Sequence, residues 1–131
     1  MAHILSTLER VSETGDPGQR IFDELFRLRP DYEPLFILDT DGSVRGSMLT
    51  SCFDCIIGLA SGDKTRARLE LDAAYLSQTG YGLDNGEVNL VFDVIYKVIK
   101  GELNSSWTDQ DDQAWKMLLM EFEKIRQQSA F

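Results

Sequence analysis

The chain has 131 residues, 43% of them hydrophobic, and a net charge of −9. That length suits one domain, and the apolar share is enough for a packed core, which excludes a disordered chain. The charge argues against nucleic acid and anionic membrane surfaces as partners; no apolar run reaches the roughly 20 residues of a membrane span, MAHILSTLERV lacks the basic-then-apolar order of a secretory signal, and the cytoplasm is the expected compartment.

The predicted elements are helix after helix. Over 3–14, Ile4, Leu5, Leu8 and Val11 form a helical stripe that Gly15 ends. Asp16-Pro17-Gly18-Gln19 is a helix start: Asp16 can cap, Pro17 suits the first helical position, and Gln19 can complete a capping box. Ile21, Phe22, Leu25, Phe26 and Leu28 follow on one broad face, and Pro30 ends or kinks the run. Phe36-Ile-Leu-Asp-Thr-Asp-Gly42 could open a β-hairpin at Asp-Gly. No second alternating run follows, so a corner between helices is expected.

Residues 43–61 form the next helix, with Val44, Met48, Leu49, Cys52, Ile56 and Leu59 along one side, and Ser61-Gly62-Asp63 stops it. Another helix spans 64–78, with Leu69, Ala73 and Leu76 inward. Asp84-Asn85-Gly86-Glu87 has a capping-box spacing. Residues 86–100 are apolar nearly all round, through Val88, Leu90, Val91, Phe92, Val94, Ile95, Val98 and Ile99. A helix of that kind is expected to be buried on two sides, against the core and against a second subunit. Thr108 to Asp111 caps the last helix, with Trp115, Leu118, Leu119, Phe122 and Ile125 inward.

Few residues could carry chemistry. His3 is the only histidine, at an expected frayed terminus, which argues against Ser-His or Cys-His catalysis, and no enzyme is expected. Cys52-Phe-Asp-Cys55 is a CxxC, but no strand precedes it as in thioredoxin-type sites, and zinc would need more ligands than the chain supplies. Two small buried residues are the better reading. Asp39-Thr-Asp41-Gly42 fails the EF-hand pattern, with glycine fourth rather than sixth and Thr50 at the twelfth position. The pair Asp111-Asp112 complements a helix dipole. Lys64, Arg66 and Arg68 make a small solvated basic face.

Three pieces, in order and spacing, resemble a bacterial globin: FDELFRLRPDYEPLF (22–36), GYGL (80–83), and WT with AW (107–108 and 114–115). The resemblance implies an all-α, globin-like fold of about seven helices in a single domain, 1–131, with 1–15 as an N-terminal helix and 16–131 as the core. It places the proximal haem histidine at Gln78, the distal tyrosine at Phe22, the distal polar residue at Arg45 or Gly46, and the proximal tyrosine and glutamate at Val88 and Lys116. Phe36 keeps the position that stacks on porphyrin. An amide is a poor iron ligand, and buttressing residues lose their purpose without the ligand they orient.

The resemblance therefore implies a haem-free, globin-like regulatory or sensory domain with no cofactor and no metal. The space where haem would sit is lined by Phe22, Phe36, Arg45, Met48, Leu49, Tyr75, Gln78, Tyr81, Val91 and Ile95. An amphipathic acid suits it, with the carboxylate on Arg45. A homodimer through 86–100 and 110–127 is expected. The alternative is an atypical haem protein that binds oxygen or another gas through Met48, Cys52, Tyr75 or Tyr81. A third is a packed interaction module without a ligand.

Overall fold

Alternating apolar stripes at a period near 3.6 commit this chain to helices that must bury one face each. The computed structural model describes residues 2–63, 65, 66, 68, 69, 72 and 85–128, and the side chains of these apart from 85–88. Among them lie five α-helices: α1 (Ala2–Glu13), α2 (Gly18–Leu28), α3 (Ser43–Ala60), α4 (Asn85–Leu103) and α5 (Asp109–Gln128). Two 3₁₀ segments, Pro30–Phe36 and Asn104–Ser106, turn the chain after α2 and after α4. No strand occurs among the described residues, and one hydrophobic core draws on all five helices. The described residues form an all-α single domain.

The start of α2 differs in detail from the sequence expectation. Pro17 is the cap residue and has no amide hydrogen, so the first free amide is that of Gly18. The Asp16 carboxylate accepts it at 2.9 Å. Gln19 does not close a capping box; its amide donates to Asp23 at 2.8 Å, one turn along the same face.

Residues 36–42 form a corner, not a hairpin. The Asp39 amide donates to the Phe36 carbonyl at 3.0 Å, and Gly42 takes a positive φ of 76° that an L side chain would resist. Beyond α3, residues 65, 66, 68, 69 and 72 are helical, and Asp63 accepts the Arg66 amide at 3.0 Å. The rest of the helix expected over 64–78 and the turn at Gly80-Tyr81-Gly82 lie outside the described residues.

Three helices, α1, α2 and α5, pack on α4. This explains its composition without a second chain. Val91, Phe92, Val94, Ile95 and Ile99 are all buried inside one chain, and Asp93, Lys97 and Lys100 form the exposed stripe. Phe92 stacks on Phe122 of α5 with centroids 4.3 Å apart, a contact worth about 1 kcal/mol beyond its area. The buried residues of 91–99 are thus accounted for by packing on α1, α2 and α5.

Helix α1 is likewise integral. Ile4 and Val11 are buried, and α1 packs on α3, α4 and α5. The buried Thr7 hydroxyl donates to the Ile4 carbonyl and accepts the Trp115 indole N–H at 2.9 Å. The frayed terminus expected around His3 is instead docked.

Candidate functional site

Of the aromatic side chains expected around a central cavity, Phe22 and Phe36 pack against each other and against Phe26. Phe22 and Phe26 extend from one face of α2 toward Phe36, which the 3₁₀ segment turns inward. The three centroids lie 5.6–5.9 Å apart, each ring tilted or edge-on to the next, the arrangement that aromatic quadrupoles favour. Phe22, Phe36, Met48, Leu49, Val91 and Ile95 are all buried members of the core. Tyr75, Gln78 and Tyr81 lie outside the described residues, as does the side chain of Val88.

Helix α3 divides the expected pocket residues between two faces. Leu49 joins Arg45, Gly46, Thr50 and Phe53 along an open groove of about 370 Å³, whose other wall is Asp16, Gly18, Gln19 and Phe22. Met48 does not line that groove, and lies in the core with Cys52. The pocket residues Phe22, Arg45 and Leu49 therefore meet at a groove mouth, whereas Met48, Val91 and Ile95 are packed within.

Arg45 was the expected anchor for a ligand carboxylate. Its Nε instead donates to Asp39 Oδ2 at 3.0 Å and its Nη2 to the Asp39 carbonyl at 3.1 Å. Asp39 is almost fully buried and also accepts the amides of Val44 and Arg45 at 3.0 Å each. It caps α3, whose own cap residue, Gly42, has no side chain to do so. Burial pushes the Asp39 carboxyl up, but the amides of Arg45 and Val44 and the guanidinium outweigh it and hold it below the ordinary range. Arg45 thus carries a charge already matched by its neighbour. Sequence reasoning weighed Asp39 only as part of a calcium loop. Its signal as a cap was an aspartate four residues before the first residue of a helix.

Two more carboxylates organise the start of α5. Thr108 and Asp111 form the capping box their spacing predicts: the Asp111 amide donates to Thr108 Oγ1 at 3.1 Å, and the Thr108 amide to Asp111 Oδ2 at 3.0 Å. Asp111 is nearly inaccessible and also receives Arg10 Nη2 at 2.7 Å. His3 Nδ1 lies 3.3 Å from its other oxygen. The single histidine is therefore held against α5.

Asp112 collects the Tyr96 hydroxyl, Lys100 and Lys116 at 3.0–3.1 Å for the lysines, and the Trp107 indole at 3.3 Å. The hydrogen bonds from Tyr96 and Lys116 hold its carboxyl far below the usual range. Lys116, where the resemblance to a globin implies a glutamate, has a structural partner in Asp112.

Cys52 and Cys55 are both completely buried, in keeping with small core residues. Among the described residues no group of three or more His, Cys, Asp or Glu could hold a metal ion, and no helix is long and apolar enough to cross a membrane. Arg68, expected on a solvated basic face, bonds Gln128 at the end of α5 through both terminal nitrogens. Compared with known proteins, the chain matches no family model, no curated protein and no solved structure.

Proposed function

We propose that the chain is a haem-free, globin-like domain with a regulatory or sensory role, taking a small apolar or amphipathic molecule where a globin would hold haem. The observation that carries this reading is the position of His3. It is the only histidine of the sequence, and it sits on α1 beside Asp111, which supports a cavity without iron held by imidazole. The helix pairing supports the globin-like half of the reading. A 3₁₀ segment follows α2, α2 packs on α4, α4 on α5, and α1 crosses both of the last two helices.

Met117 and Met120 of α5 are 64% and 62% exposed, and these are the side chains a second copy would cover. Native mass spectrometry of gently purified protein tests the sensory role. A small molecule carried at one per chain supports it. A bare chain that accepts nothing from a mixed lipid and metabolite extract favours a packed interaction module instead.

A further inference from the structure

A second open groove, of about 450 Å³, continues the one at Arg45 along the same side of α3. The two share Asp16 and Phe53. The continuation is walled by Leu8 and Val11 of α1, by Pro17, and by Ile57 one turn beyond Phe53. Gly15, at a positive φ of 121° between α1 and α2, lies at the rim of this groove. From Arg45 to Ile57 the path follows about 18 Å of helix at 1.5 Å per residue. Such a volume is typical of small-molecule sites.

Charge decides what the groove accepts. At the Arg45 end the guanidinium is matched by Asp39. At the junction the exposed Asp16 carboxylate takes the Gly18 amide and pairs with no lysine or arginine among the described residues. One negative charge is therefore left over, set between apolar walls, on a chain whose net charge of −9 attracts cations at long range. The half-buried Phe53 ring beside it can receive a cation on its face. We propose that this groove binds a hydrophobic amine, with its ammonium against Asp16 and Phe53 and its apolar body along Leu8, Val11 and Ile57. The sign is opposite to that of the acid expected on Arg45. The site does not depend on the haem-free reading, since Leu8, Val11, Asp16, Phe53 and Ile57 are not among the residues expected to line a haem cavity.

The test is a titration of the ¹⁵N-labelled chain at pH 7 with octylamine, followed through its amide resonances, with 1-octanol and octanoate as matched neutral and anionic probes. Octylammonium should give saturable shifts centred on Asp16, Gly18, Phe53 and Ile57, with octanol weaker and octanoate weakest. Asp16→Asn keeps an oxygen for the Gly18 amide, so the fold stands. It should weaken octylammonium about three- to fivefold, as loss of an exposed ion pair does, and leave octanol unchanged. Phe53→Leu should weaken octylammonium more than octanol. Octanoate binding as tightly as octylammonium, an affinity indifferent to Asp16→Asn, shifts centred elsewhere, or no saturable shift would each overturn the proposal.

Discussion

Replacing Asp111 with alanine tests whether α1 is docked as described. The substitution removes one acceptor of the capping box, worth about 1 kcal/mol, and a charge-assisted hydrogen bond from Arg10, worth about 1.5–3 kcal/mol. Arg10 retains the Ser106 carbonyl, and its side chain is 29% exposed, so water recovers part of the second contribution. The expected loss is about 2–3 kcal/mol. For 131 residues, an unfolding entropy near 2 cal/mol/K per residue turns this into a melting point lower by about 7–11 °C. Urea unfolding followed by tryptophan fluorescence reads it directly, because Trp115 lies in the same interface and bonds Thr7 of α1. Arg10→Ala in the Asp111→Ala background should cost far less than Arg10→Ala alone. A loss under about 0.5 kcal/mol, or strictly additive effects, would mean that α1 does not pack there.

Acid should destabilise the fold. Asp39, Asp111 and Asp112 are held below the ordinary carboxylate range, so each adds stability above the unfolded value near 3.8 that is lost as pH falls through its folded value. Unfolding free energy should therefore drop from about pH 5 downwards, and more shallowly in Asp112→Asn; an identical slope would contradict the network around Asp112. Cys52 and Cys55, both inaccessible, should react with a water-soluble thiol reagent only as fast as the chain opens, whereas labelling within seconds under native conditions would place them at the surface. A dimer, if carried by α5, should dissociate in a Met117→Glu, Met120→Glu double variant, as read by sedimentation velocity. A wild-type chain monomeric at about 100 µM would remove the subunit interface from the account.

Helix positions were legible because the apolar period is strong and the stop signals are local. Gly15, Pro30 and Ser61-Gly62 end helices near where the pattern breaks, and the Thr108–Asp111 capping box forms as its spacing requires. Which face meets which neighbour was not legible. Helix α4 looked too apolar for one core because sequence does not reveal that α1 covers it as well as α2 and α5. The same holds for the site. Phe22, Phe36 and Met48 were recognised as inward, but Arg45 was assigned to a ligand because its partner, Asp39, lies across a corner whose path depends on Gly42 in a left-handed conformation. A pairing six residues apart through such a corner has no periodic signature. Asp16 was read only as a cap, and its place between two grooves depends on how α1 approaches α3.

The central claim is that the interior holds no iron porphyrin. It is tested most directly by the absorption spectrum of protein purified after expression with added haem precursor, alongside a pyridine haemochrome assay. The account predicts no Soret band above a trace, and no change when Met48 or Cys52 is replaced by alanine. A Soret band at one haem per chain, lost with one of those substitutions, would contradict it.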